Sequence, residues 1–227
     1  MAAAGEMRVS VRFCRRILGE ILITLGVVIL GFLAYISWGS AVREGDAQHA
    51  FAGELGQEWS QGSQSLTALT NPADVGLGRP FALIRIPKFG ATWQFAVVQG
   101  SGSAQLALGP GHVPGTALPG MVGNFAVAGH RVTAGNPFGS LPSLRTGDIV
   151  YVETIVGTYE YAVTGTPMWV APANTAVLAP VPGHPGQVPH RRMLTLITCD
   201  PPWTGTSRVI VTGVLVRAMP RQQGIEG

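Results

Sequence analysis

Apolar residues follow three different patterns along this chain. From Ile17 to Trp38, ILGEILITLGVVILGFLAYISW is apolar except for Glu20, Thr24 and Ser37. At about 1.5 Å of rise per residue such a helix crosses a hydrocarbon layer of about 30 Å, so the pattern predicts one membrane-spanning helix. Between Ala47 and Trp59 the apolar positions Ala47, Ala50, Phe51, Leu55 and Trp59 recur at helical spacing, which predicts a short amphipathic helix lying on the membrane or on the following domain. The next stretch, SQGSQSLTALTNPADVGLGRP, is polar and rich in Gly, Ser and Pro, and reads as a linker.

From Pro80 onward the apolar residues come in short runs between turn residues: FALIRIP (81–87), WQFAVVQ (93–99), GNFAVAGH (123–130), DIVYVET (148–154), TYEYAVTG (158–165), MLTLITC (193–199) and RVIVTGVLV (208–216). Seven or eight strands with little helix predict an all-β barrel or sandwich. Two loops, 109–123 and 171–190, are rich in Gly and Pro, and long loops on a β scaffold are where binding usually sits. The expected organisation is an N-terminal segment (1–16), an anchor (17–38), a stalk (39–79), a β domain (80–218) and a tail (219–227).

Charge adds a direction to this scheme. Arg8, Arg12, Arg15 and Arg16 precede the apolar span and only Arg43 follows it closely, so the positive-inside rule puts the N-terminus in the cytoplasm and the domain outside. A cleaved signal peptide would have an apolar region of roughly 7 to 15 residues, shorter than this one. Glu20 lies one turn inside the inner edge, within reach of headgroups or a neighbouring Arg. The net charge of +3 includes these N-terminal arginines, which leaves no basic face for nucleic acid. Gly 31, Pro 17 and only 12% charged residues suit turns between strands.

The two cysteines fall on opposite sides of the expected membrane, Cys14 inside and Cys199 outside, so they cannot bridge within one chain. Cys199 is an unpaired thiol in an oxidising setting, at the end of an apolar strand and just before Asp200-Pro201-Pro202, which stops a ladder. If the next strand, beginning at Arg208, pairs with it, the guanidinium lies near the thiol. His130 also ends a strand, so a thiol, an imidazole and a guanidinium would share one rim. That set suits nucleophilic acyl transfer, with a thiolate favoured by positive charge, an imidazole that carries the proton and an arginine fork for the developing oxyanion. Each residue also has a plainer reading. Cys199 as a small buried hydrophobe, His130 as a surface residue and Arg208 as the ion-pair partner of Asp200 all fit the spacing. His112, His184 and His190 lie in loops without close ligand spacing, so no zinc site is expected. GPGHVPG lacks the Lys-Ser/Thr pair and the helix of a phosphate loop, so no nucleotide site is expected either.

Three segments carry a family resemblance. TLITC (195–199), with Arg208 nine residues after the cysteine, resembles the Thr-Leu-x-Thr-Cys signature of sortases. LGPGHVPGTALPGMVGNFAVAGHR (108–131) resembles the segment that carries the sortase histidine, and IRIPKFGATWQFAVVQG (84–100) resembles the opening strands of that family. The similarity runs from about Phe81 to Val216, with Gly-Pro-Gly-His, AGHR and the nine-residue Cys–Arg step most like class E sortases of actinobacteria.

The resemblance implies an eight-stranded sortase-type barrel with short helices after the anchor, and a transpeptidase acting on secreted proteins with a C-terminal Leu-Pro/Ala-x-Thr-Gly sorting signal. Carried over by position, Cys199 forms the thioester, His130 serves as acid and then base, and Arg208 orients the acyl group. The acceptor implied is a cell-wall precursor amine of the lipid II kind. Thr198 and Trp203, beside the nucleophile, are the candidate substrate-binding residues. No metal, other cofactor or nucleic-acid partner is expected, and the enzyme is taken as a monomer. Asp200-Pro201-Pro202-Trp203 departs from the His-Pro-Arg-Tyr-like run common in the class, which bears on substrate preference. The loop after Thr164 has no acidic cluster for calcium. The rival readings are a non-catalytic exported domain that binds a peptide or wall polymer, and a hydrolytic cysteine peptidase.

Overall fold

The computed structural model describes residues 3–60 and 75–221. Most of the expected linker, and the end of the expected tail, lie outside the described residues. Contacts divide the chain into two compact units, 1–39 and 40–227.

The first unit is built on α1, Ala3–Ser60, whose residues from Ser40 onward belong to the second unit. Within α1, Arg15–Leu33 is apolar enough and long enough to cross a membrane, with a mean hydropathy of 2.1. Leu22, Val27 and Leu30 in this stretch are exposed, as side chains that face lipid would be. Glu20 pairs with Arg16 at 3.1 Å, one turn back, in the way its position allows.

Residues 40–60 differ from the expected stalk. Instead of a separate short helix they continue α1, and the positions withdrawn from solvent are Glu44, Gly45, Ala47, Gln48, Phe51, Glu54, Leu55, Glu58 and Trp59 among the described side chains. That is a stripe at 3.6-residue spacing, and it packs on the domain. Leu55 is fully buried. The Gln48 amide donates to the carbonyls of Ala96 (3.2 Å) and Leu108 (2.8 Å) and accepts from the Ala96 N–H (2.6 Å). Ala50, counted as apolar in the sequence pattern, falls off this stripe and is exposed.

The β elements are β1 (Pro80–Arg85), β2 (Gln94–Gln99), β3 (Gly111–His112), β4 (Gly123–Ala128), β5 (Ile149–Glu153), β6 (Gly157–Val163), β7 (Met168–Val170), β8 (Arg192–Asp200) and β9 (Ser207–Pro220), with a short helix α2 (Ser103–Leu106). The ladder order β6-β5-β1-β2-β3-β4-β8-β9 closes through β6–β9 pairing into a barrel of eight strands, and β7 hangs on the outer side of β9. Closure leaves no edge in the ring. β2–β3 and β4–β8 are parallel, and every other pair is antiparallel. Two strands have no period-2 run behind them: β3 is two residues long and β7 three. β9 continues to Pro220, opposite Gly157, past the expected domain end at 218.

Alternation decides which side chains fill the barrel. Phe125 and Val127 on β4, Leu194 and Leu196 on β8, and Val209 and Val211 on β9 enter the core with Ile84, Val97, Phe138 and Tyr161. Their neighbours in sequence therefore point outward.

Candidate active site

Outward on β8 come Ile197 and Cys199; outward on β9 come Arg208 and Ile210. The antiparallel register makes Cys199 and Arg208 direct cross-strand partners, which puts their Cβ atoms about 5 Å apart on one face. β4 runs parallel to β8 with Ala128 opposite Ile197, and the Gly129 N–H donates to the Ile197 carbonyl at 3.0 Å. Two residues on from that pair stand His130 and Cys199. The ladders thus bring His130, Cys199 and Arg208 to the same end of three adjacent strands, with Cys199 and Arg208 on one face.

Local chemistry holds each strand end. Thr198, fully buried, donates its hydroxyl to the Gly129 carbonyl at 2.8 Å. Gly129 has no room for a side chain, since a Cβ there would lie 2.6 Å from the Phe138 ring. The Phe138 N–H donates to the His130 carbonyl at 3.0 Å. The Arg208 Nη1 donates to the carbonyls of Gly205 (2.7 Å) and Ser207 (2.9 Å), so the guanidinium is aimed by the loop that separates it from the thiol. A Cβ at Gly205, whose φ is +59°, would lie 3.7 Å from both Cys199 Sγ and Arg208 Nη1. That glycine therefore lies beside both the thiol and the guanidinium, on a backbone conformation that suits it.

Cys199 is free and only partly buried, not a core residue. Burial holds the His130 imidazole below its ordinary pKa, because desolvation disfavours the charged ring. Its neutral form dominates at neutral pH and can accept a proton. Trp203 is 78% exposed in the loop after β8. Thr198 sits on the inward side of β8, with its hydroxyl engaged by Gly129.

The departure at Asp200 resolves into a contact that spacing did not reveal. Asp200 pairs with Arg131, not with Arg208. Its Oδ2 also accepts from the Trp169 Nε1 of β7 at 3.0 Å. Neither partner could be found by sequence pattern, because β7 has no periodic signal and Arg131 is remote from Asp200 along the chain.

The 171–190 loop covers the outer face of β4 and β8. Asn124 on β4 donates to the carbonyls of Val177 and Ala179, both at 3.1 Å, and accepts from Thr195 Oγ1 at 2.7 Å. An open cleft lined by Pro180, Val181, His184, His190 and Met193 lies at the end of β8 away from Cys199. His112 is buried and makes contacts with Gln99 (2.7 Å), Thr116 (2.9 Å) and Ala117 (3.1 Å), which marks it as a structural histidine. Among the described residues no group of three or more His, Cys, Asp or Glu is placed to hold a metal ion.

The sortase-domain family model matches residues 84–216. The chain belongs to the sortase family. Sortases are cysteine transpeptidases. Sortase SrtE1 of Streptomyces coelicolor is 35% identical over 217 residues, covering 92% of this chain and 59% of that protein. The chain thus spans about three fifths of the length of that relative. Sortase E of Streptomyces avermitilis, a solved structure, is 39% identical with a TM-score of 0.58, over 64% of this chain and 93% of that one. Sortase E1 of Streptomyces coelicolor, solved with a tripeptide in its active site, is 37% identical with a TM-score of 0.59, over 65% and 94%. These similarities place the chain with class E sortases.

Proposed function

We propose that this sortase is a membrane-anchored extracytoplasmic transpeptidase that cuts a Leu-Pro/Ala-x-Thr-Gly-like sorting signal between Thr and Gly and joins the protein to a cell-wall precursor amine. The observation that supports the reading is the register: Cys199 opposite Arg208 across β8 and β9, with His130 two residues beyond the end of the parallel β4–β8 ladder.

Neutral His130 takes the Cys199 proton as the sulfur attacks the Thr carbonyl. The guanidinium of Arg208, fixed by two carbonyls, faces the developing oxyanion. The imidazolium then gives its proton to the departing Gly amine, leaving a thioester on Cys199. An acceptor amine enters and loses its proton to His130 as it attacks. Collapse restores the thiolate, which recovers that proton, and releases the amide. Trp203 offers an exposed aromatic surface to the residues of the signal, and Thr198 acts on substrate through the strand end it holds. The apolar Arg15–Leu33 stretch, with Arg15 and Arg16 at its start, supports a single-pass anchor with the domain outside, where both substrates are found.

The test incubates the full chain in detergent micelles with Leu-Pro-x-Thr-Gly and Leu-Ala-x-Thr-Gly peptides and a glycyl amine, trapping the enzyme for mass spectrometry. An acyl adduct on Cys199 and amide product that rises with amine are expected. Cleavage indifferent to amine would instead make the protein a hydrolase, and no adduct with any peptide would leave a binding domain. Arg208→Lys keeps the charge but loses the fork, and a fall of about 100-fold in kcat is expected.

A further inference from the structure

Asp200 joins three segments, each adjacent to one member of the triad. Arg131, its ion-pair partner, follows His130. Asp200 itself follows Cys199. Trp169, which donates to Asp200 Oδ2 at 3.0 Å, precedes Val170, the β7 residue paired with Arg208. Arg131 Nη1 lies 3.5 Å from the Cys199 carbonyl, and Ser207 Oγ donates to the Asp200 carbonyl at 2.9 Å. The side chains of Arg131 and Asp200 are 19% and 22% exposed, so the pair is largely withdrawn from solvent and weakly screened. We propose that the Arg131–Asp200 pair, with Trp169 as its third arm, is a positioning clamp that fixes the His130 strand end against the Cys199 strand end during acyl transfer. The inference rests on the assignment of His130, Cys199 and Arg208 as the reacting groups.

Alternation along β8 turns Asp200 to the face opposite Cys199, so the clamp acts on the strand ends that carry the reacting groups.

The experiment uses the full chain in micelles, with Asp200→Asn, Arg131→Gln, the double variant and Asp200→Glu. Three readouts are taken: alkylation of Cys199 by iodoacetamide, amide hydrogen exchange at residues 129–131, and kcat and KM for peptide transfer to a glycyl amine. Each single substitution should lower kcat by about 10- to 100-fold with KM changed less than about threefold, as misplacement of a reacting group does. The double variant should be no slower than the worse single, because both remove one interaction. Cys199 should still be alkylated in every variant, while Asp200→Glu retains most of the activity. Additive losses, kcat within twofold of the parent, or a KM that rises with kcat unchanged would overturn the clamp. A parent that is alkylated but shows no transfer would instead refute the transpeptidase reading; faster amide hydrogen exchange at residues 129–131 in both single variants would then still support the clamp, and unchanged exchange would overturn it.

Discussion

Thr198 gives its hydroxyl to the carbonyl of Gly129, 2.8 Å away, and Gly129 is the residue before His130. One buried hydrogen bond therefore ties the strand that ends in the thiol to the strand that ends in the imidazole. Thr198→Val keeps the shape and leaves that carbonyl without its side-chain donor. A loss of about 1–2 kcal/mol in unfolding free energy is expected by denaturant titration, together with a lower kcat. If KM rises and kcat holds, Thr198 touches substrate directly and the tie between strands is secondary.

Gly205 lies beside both the sulfur of Cys199 and the guanidinium of Arg208. A Cβ there would sit 3.7 Å from both Sγ of Cys199 and Nη1 of Arg208, on a backbone with φ +59°. Gly205→Ala should reduce stability by about 1 kcal/mol, the strain of an L-residue in the left-handed region. Thioester formation should slow by about tenfold or more, because the methyl group occupies space where the acyl group must enter. Rapid-quench measurement of the adduct separates this from thermal destabilisation, and an adduct formed at the parental rate would show that the cleft lies elsewhere.

His112 makes the fold acid-sensitive. Burial holds its pKa at about 4, against 6.5 in an exposed chain. As pH falls through 6.5 the unfolded chain takes up a proton that the folded one refuses until about 4, so stability falls across that window and levels off below it. The full effect is about 3 kcal/mol, and His130, displaced in the same direction, adds to it. Chemical denaturation between pH 7 and pH 4 measures the slope, and a His112→Gln variant should lose most of it.

Glu44 acts with the opposite sign. Its carboxyl is buried against Gly135, in the loop after His130, and burial raises its pKa from 4.5 to about 7. The folded state holds this proton more tightly than the unfolded state, so the stabilisation is complete below 4.5 and is lost as pH rises through 7. Seating of residues 44–60 on the domain should weaken above neutrality. Amide hydrogen exchange of this helix at pH 6 and pH 8 reads the effect, and Glu44→Gln should protect the helix equally at both. Exchange in the parent that shows no added opening at pH 8, once corrected for intrinsic rate, would rule it out.

Much of the barrel is legible in sequence because alternation of apolar residues is a local property. FALIRIP, DIVYVET and RVIVTGVLV each carry their own evidence of a strand with one buried face, and β1, β5 and β9 lie there. β3 and β7 escape such a reading, being two and three residues long and held by pairing with β2, β4 and β9 instead of by their own pattern. The helix at 44–60 was half visible: spacing revealed an amphipathic face, but Glu44 and Gln48, which anchor it, are polar and count against burial in any local scan.

Residue chemistry and the order of the segments were settled by the chain itself: an apolar span after arginines, a thiol and an imidazole each at the end of a strand, and an arginine nine residues beyond the thiol. Tertiary structure alone decided the partners. Asp200 has two arginines to choose from, and electrostatics along the sequence favours Arg208, eight residues away. The β8–β9 ladder instead puts Arg208 opposite Cys199, and the parallel β4–β8 ladder delivers Arg131 to Asp200. Charge specifies only that a carboxylate wants a cation. Which cation it meets is fixed by strand register, and register is set by the core packing of the whole barrel.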